Sequence, residues 1–159
     1  MLKPVDLLVG LKILYNPGWT QLELASRLCI SSSQVNSAIK GLLCVNLVVL
    51  KNNKPFPIIE AFEEFVLFGV KYCYPVKVGE LTIGVPTAYA AKPLAKEITQ
   101  HSDPIPVWPY INGSARGLAL EPLHKNVPKA LAEFPDPKLL TCLVLIDALR
   151  VGRMREKNL

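Results

Sequence analysis

Apolar residues recur at helical spacing over Leu7, Leu8, Leu11, Leu14 and Tyr15, which predicts an opening helix with a buried face. Pro4 suits the first turn, Asp6 sits near the positive end of the helix dipole, and Asn16-Pro17-Gly18 stops the segment. Thr20 with Glu23, and Ser31 with Gln34, then read as two capping boxes, in which each side chain takes up a backbone N–H that a helix start leaves unbonded. They predict a helix from Thr20 to about Leu28 and another from Ser31 through Val35, Ala38, Ile39, Leu42 and Leu43. The pattern next becomes β-prone over 47–50 and 56–59, on either side of the polar turn Lys51-Asn52-Asn53-Lys54. This reads as a short hairpin whose second strand is an edge, because Pro55 and Pro57 cannot donate to a ladder. A linking helix over about 60–72 follows, with Phe62, Phe65, Val66, Gly69 and Tyr72 or Cys73 on one face.

From residue 74 to 135 prolines are frequent, and short β-prone runs at 81–85, 105–108 and 118–120 predict loops with a few strands. Asp136-Pro137 makes a good N-cap and first turn for a last helix carrying Leu139, Leu140, Leu143, Ile146 and Leu149, expected to reach Arg150 and stop near Gly152. Its apolar surface requires burial, either by fold-back onto the linking helix or in a dimer. The fold class expected is α+β: an N-terminal winged helix-turn-helix over 1–58, then over 59–159 the linking helix and a small mixed region closed by the apolar helix.

Charge adds a location to this picture. Residues 1–58 hold six Lys/Arg against two Asp/Glu, 59–145 hold eight against nine, and 146–159 hold four against two, so the net charge of +5 sits at the two ends. A basic excess of this kind permits nucleic-acid binding. Cys29, Cys44, Cys73 and Cys142 form no Cys-x-x-Cys pair, and with only His101 and His124 beside them no zinc site or disulfide framework is expected. Their apolar neighbourhoods suggest small buried thiols in a reducing cytosol. No signal-peptide pattern opens the chain, and the apolar run near 139–149 is too short to span a bilayer, so a cytoplasmic protein without a membrane role is expected.

A helix-turn-helix needs a small residue where its two helices meet and a few apolar residues at fixed places. Ala25, with Leu24, Leu28, Ile30, Val35 and Ala38, meets that need, and Cys29 stands at a turn position that often holds glycine. The recognition helix, about 31–44, would expose Ser32, Ser33, Gln34, Asn36, Ser37 and Lys40 to phosphates and base edges of the major groove. Asn36 is the preferred base reader, since Gln34 is claimed by its capping box. Lys51, Asn52, Asn53 and Lys54 would form the tip of a wing over about 47–59. The segment "TQLELASRLCISSSQVNSAIKGLL" resembles winged helix-turn-helix transcriptional regulators. The whole chain resembles a family of small uncharacterised bacterial proteins with this N-terminal module, on "MLKPVDLLVGLKIL", "EEFVLFGVKYCYP", "GVPTAYAAKPL", "PVWP", "RGLALEPL" and "DALRVGRMRE". The resemblance implies the fold and double-stranded DNA as a partner, and it implies no activity.

Towards the C-terminus, Arg116 reads either as an anion contact or as a brace for loop carbonyls, and Trp108 as a core anchor or a stacking platform. Asp147 and Arg150, three apart on a helix, are expected to pair. Arg150, Arg153 and Arg155 are candidates for contact with an anion or a partner, or make a solvated terminus. No Gly-rich phosphate loop, nucleophile elbow or metal-ligand cluster appears, so neither catalytic residue nor cofactor is expected. Two functions stay open: a sequence-specific DNA-binding regulator, expected to be a homodimer, or a protein-interaction module such as an antitoxin-like partner of a neighbouring gene product that also represses its own operon.

Overall fold

A computed structural model describes residues 1–92, 94 and 104–157, with side chains described as far as residue 151. In chain order it contains helices α1 (Pro4–Tyr15), α2 (Gln21–Leu28) and α3 (Ser32–Cys44), strands β1 (Val48–Lys51) and β2 (Lys54–Pro57), and helix α4 (Ile59–Glu64). A π-helical stretch (Phe65–Gly69) leads into α5 (Val70–Cys73) and then β3 (Val78–Pro86). A 3₁₀ turn (Ala88–Ala90), strands β4 (Pro106–Pro109) and β5 (Ala115–Leu120), and helices α6 (Val127–Glu133) and α7 (Pro137–Lys157) complete the order. The chain is α+β, as its pattern predicts.

Two compact units form: Met1–Val66 with Leu123–Leu139, and Leu67–Pro122 with Leu140–Leu159. In the first, Leu7, Leu8 and Leu11 of α1 are buried along with Leu24 and Leu28 of α2, Val35 and Leu42 of α3, Val48 of β1 and Phe62 of α4. Gly10 lets these elements close up: a Cβ there would stand 2.8 Å from Phe62 Cζ and 3.0 Å from Leu42 Cδ2. Asp6 closes the start of α1 by accepting the Lys3 N–H at 2.9 Å. Burial among apolar neighbours raises its carboxyl above the ordinary value. The segment 123–139 packs here too, with Val127 and Ala130 of α6 buried.

In the second unit β3 pairs antiparallel with β4 (Val85 opposite Trp108) and with β5 (Thr82 opposite Gly117), and β4 pairs parallel with β5 (Pro106 opposite Leu118). Each strand therefore touches both others, and the ring closes only because glycine stands at the crossings. A Cβ on Gly84 would lie 2.0 Å from the Trp108 carbonyl oxygen, and one on Gly117 2.1 Å from that of Ile105. Trp108, Leu120, Leu143, Val144 and Ile146 are buried in this unit.

Three local expectations are corrected. The linking helix is helical throughout but passes through the π stretch rather than keeping one period. Helix α6 stands where the pattern predicts loop: it has seven residues, too few to be stable by propensity, and its burial supplies what propensity lacks. Helix α7 does not stop near Gly152 but continues to Lys157; one glycine costs a helix only about 1 kcal/mol relative to alanine.

Candidate functional site

The candidate interface begins with how α2 and α3 are started and stopped. Thr20 Oγ1 accepts the Glu23 N–H at 3.1 Å, while its hydroxyl donates to the Glu23 carboxylate at 3.2 Å. The cap is real, but Glu23 answers the hydroxyl and not the Thr20 backbone, so only half of the expected box forms. Helix α2 ends with Cys29 in the left-handed region (φ 55°, ψ 42°), the Ile30 N–H donating to the Ala25 carbonyl at 3.1 Å and the Cys29 N–H to that of Ser26 at 3.3 Å. This glycine-type ending turns the chain into α3 within two residues. Asn126 Nδ2 donates to the Cys29 carbonyl at 2.7 Å and fixes the turn from outside. Burial and the neighbouring Glu133 carboxylate push the Cys29 thiol up.

Helix α3 opens with the full box: Ser31 Oγ accepts the Gln34 N–H at 3.2 Å, and Gln34 Oε1 accepts the Ser31 N–H at 3.0 Å. Val35, Ala38, Ile39 and Leu42 are buried, which leaves Ser33, Asn36, Ser37 and Lys40 together on the opposite face. Ser32, Ser33, Gln34, Asn36, Ser37 and Lys40 are all exposed, and α3 carries no acidic residue. The Gln34 carbonyl cannot offer itself to adenine without giving up the cap. Ser33 Oγ lies 3.1 Å from Ser31 Oγ. The helix ends on Asn46 at φ 62°, with the Leu47 N–H donating to the Leu42 carbonyl at 3.1 Å.

Beyond it, β1 and β2 pair from Val48 opposite Pro57 to Lys51 opposite Lys54. Asn52 (φ 53°) and Asn53 (φ 61°) form the two-residue turn, both left-handed, as a tight hairpin of right-twisted strands requires. Lys51, Asn52, Asn53 and Lys54 are exposed, and the Lys51 ammonium lies 5.4 Å over the Phe56 ring. All ten residues expected from the sequence at this interface thus lie at the surface of one unit, on one helix and the hairpin tip.

The four C-terminal candidates fare differently. Arg116 is exposed on β5, opposite Ile83. Arg150 is an interior group and not the surface contact expected. It is 7% exposed, its Nε donates to the Tyr74 carbonyl at 2.8 Å, and its Nη1 donates to Asp147 Oδ1 at 3.1 Å and the Glu121 carbonyl at 3.4 Å. Asp147 accepts Thr87 Oγ1 and Trp108 Nε1 as well, each at 2.7 Å, which settles Trp108 as a core anchor. Burial raises the Asp147 carboxyl against the pull of Thr87 and Arg150. The side chains of Arg153 and Arg155 lie outside the described residues, as does His101. His124 is half-buried, accepts the Asn126 N–H at 3.0 Å on Nδ1, and is pushed down by burial and by Lys125.

The thiols are not buried as expected: Cys44 and Cys73 are exposed, Cys29 and Cys142 half-buried, and none is in a disulfide. Among the described residues no group of His, Cys, Asp and Glu is arranged to hold a metal, and no helix is long and apolar enough to cross a membrane.

One cluster has no counterpart in the sequence reading. Lys12, only 3% exposed, donates to Asp136 Oδ2 at 2.6 Å and lies 5.3 Å over the Trp19 ring. Arg27 lies 4.7 Å over Phe134 and 5.6 Å from the Trp19 ring. Burial would raise the Asp136 carboxyl, but the Lys12 ammonium and the Leu139 N–H together hold it below its ordinary value. Its only trace in sequence is a lysine on the apolar face of α1. Against protein-family models, curated proteins and solved structures alike, the chain finds no match.

Proposed function

We propose that residues 1–58 act as a winged helix-turn-helix that binds double-stranded DNA, and that the protein is a transcriptional regulator. The observation that carries this reading is the outer face of α3. Ser33, Asn36, Ser37 and Lys40 stand together, exposed, with no carboxylate on the helix, while its inner face is locked into the core. A helix of this kind fits the major groove, about 12 Å wide, where Asn36 can pair bidentately with adenine. The Lys51–Lys54 tip then lies on the neighbouring phosphates. The compact unit that holds this face carries nine Lys/Arg against seven Asp/Glu, so the attraction is local to the face and not a property of the whole unit.

The test is anisotropy titration of the full chain on the duplex upstream of its own gene and on a random duplex, over a range of salt. Asn36→Ala is expected to cost about 1–3 kcal/mol on the specific duplex and little on the random one. Lys54→Ala is expected to weaken both alike and to lower the salt slope by about 1. Absence of duplex binding at low salt defeats the proposal.

A protein-contact role for the second unit is favoured by its exposed apolar side chains, Leu67 (52%), Phe68 (65%), Tyr72 (61%), Leu81 and Ile83. We take the partner to be a second copy of this chain, since paired half-sites multiply DNA affinity. Molecular mass in solution tests it: a monomer at micromolar concentration points instead to a different protein partner.

A further inference from the structure

We propose that the cleft between the end of α1, helix α2 and the turn into α7 binds a small molecule bearing an oxyanion, a carboxylate or a phosphate. The cleft has a volume of about 400 Å³ and is lined by Lys12, Trp19, Arg27, Phe134, Asp136 and Lys138, with Asn16 and two prolines. Cavities of about 300–1,000 Å³ are the usual size of ligand pockets.

The charges of this lining do not cancel. Its one carboxylate, Asp136, is committed to the Lys12 ammonium at 2.6 Å and to the Leu139 N–H at 3.1 Å. That leaves Arg27 and Lys138 uncompensated within it. Arg27 makes ring contacts but no ion pair or hydrogen bond among the described residues. A surface arginine ordinarily loses conformational freedom when it binds an anion. Here the guanidinium is already held against Phe134 and Trp19, so its planar fork is positioned in advance. Two parallel N–H donors match two oxygens of a carboxylate or phosphate. Trp19 lines the cleft, and its indole Nε1–H lacks an acceptor among the described residues. The wall of rings suits a ligand with a flat apolar body behind its charge.

This site is separate from the α3 face and does not depend on duplex binding. The chain has two tryptophans, and Trp108 is buried in the other unit with its Nε1 bonded to Asp147, so the two indole N–H signals in a ¹H–¹⁵N spectrum give a probe and an internal control. The full chain is titrated with inorganic phosphate, with benzoate, and with benzamide, which has the shape of benzoate without its charge. The Trp19 signal is expected to move saturably with phosphate, benzoate or both, and the Trp108 signal to stay. Response to phosphate alone identifies a phosphate ligand, and response to benzoate alone a carboxylate. Arg27→Gln is expected to weaken binding about tenfold or more, the loss of a charge-assisted pair. Arg27→Lys keeps the charge without the fork and should fall between. Native dispersion of the backbone amide signals, with the Trp108 indole signal unshifted, establishes that the free variants are folded, and Lys138→Ala, at the exposed rim, serves as a second variant with a smaller expected loss. The proposal is overturned if neither anion moves the Trp19 signal, if benzamide binds as well as benzoate, or if folded Arg27→Gln binds like the parent.

Discussion

The two units differ in where their most extended set of polar side chains points, although each also buries some: Asp6 and Lys12 in the first, Thr87, Asp147 and Arg150 in the second. The unit of α1–α4 and α6 turns a row of short polar groups and lysines outward, on α3 and the hairpin tip, over an interior closed by leucine, valine and Phe62. The unit of β3–β5 turns its most polar cluster inward, where Asp147 collects Thr87, Trp108 and Arg150 and where Arg150 also braces the carbonyls of Tyr74 and Glu121. The same residue types mean different things in the two places. An arginine whose donors are spent inside a domain is architecture, whereas an exposed Asn36 or Lys40 with no partner inside its unit is available to something else. Burial and hydrogen-bonded partners separate the two roles, and residue identity alone does not.

The contrast breaks most visibly at Asp147. Asp147→Ala removes the acceptor of three hydrogen bonds at once and leaves a buried guanidinium without its counter-charge. Breaking a buried pair in this way costs about 3–5 kcal/mol. Urea unfolding should report that loss, and the Trp108 indole signal should shift with it. Asp147→Asn, which keeps an acceptor for Thr87 and Trp108, should lose less. If Ala and Asn behave alike at under about 1 kcal/mol, the cluster is not what organises this unit.

Asp136→Asn is the matching change in the first unit. Asparagine still caps α7, so the substitution isolates the charge on Lys12 from the cap. Because Asp136 keeps 16% of its side-chain surface in contact with water, the expected loss at neutral pH is about 2 kcal/mol, less than for a fully enclosed pair. Its pH dependence has a definite sign. The folded-state carboxyl lies below its ordinary value of 3.8, so the stabilisation is fully present above that value and disappears as pH falls through the lower, folded one. The gap between parent and variant in denaturant midpoint should therefore close in acid. A gap that is constant from pH 7 down to pH 2 would show that the ion pair contributes nothing.

How much of this is legible in the sequence depends on range. The box from Ser31 to Gln34 spans four residues, and both of its bonds form. Asp147 and Arg150, three apart, pair as their spacing implies. What those two residues serve is not legible, because Trp108, Thr87 and Tyr74 lie 39, 60 and 76 positions from their partners. Lys12 and Asp136 are 124 apart, and nothing local marks either as half of a pair. Even a short signal misleads where two outcomes are close in energy, as at Thr20, where the Glu23 carboxylate takes the hydroxyl in place of the backbone N–H.

Gly10→Ala gives a smaller effect, since helix propensity and packing oppose each other there. Alanine gains up to about 1 kcal/mol as a helix former. Its methyl, however, must displace the Phe62 ring and Leu42, and overpacking of that kind costs about 1–3 kcal/mol. A net loss near 1 kcal/mol, read as a lower denaturant midpoint with unchanged slope, is expected. A gain would mean that the ring shifts freely and that the packing of α1 is looser than its contacts indicate.

The smallest expected effect is at Cys29, which stands where glycine is usual and holds a left-handed backbone at φ 55°. A residue with a Cβ is strained there by about 1–2 kcal/mol relative to glycine. Replacing it with glycine relieves that strain, but the unfolded chain becomes more flexible at a cost of about 0.5–1 kcal/mol. The weak contact of Sγ with Glu133 at 3.6 Å is lost as well, though Asn126 still holds the carbonyl of residue 29 from outside. Strain relief outweighs the added flexibility, the lost thiol contact takes back part of the difference, and Cys29→Gly should stabilise the first unit by about 0.5 kcal/mol. The sign is the informative part. A small rise in denaturant midpoint is expected, with the Trp19 indole signal unmoved because the turn keeps its shape. A drop of about 1 kcal/mol or more would mean that the thiol contributes packing or hydrogen bonding here that outweighs its backbone strain. In that case the turn between α2 and α3 is held by its side chains and not by its left-handed ending.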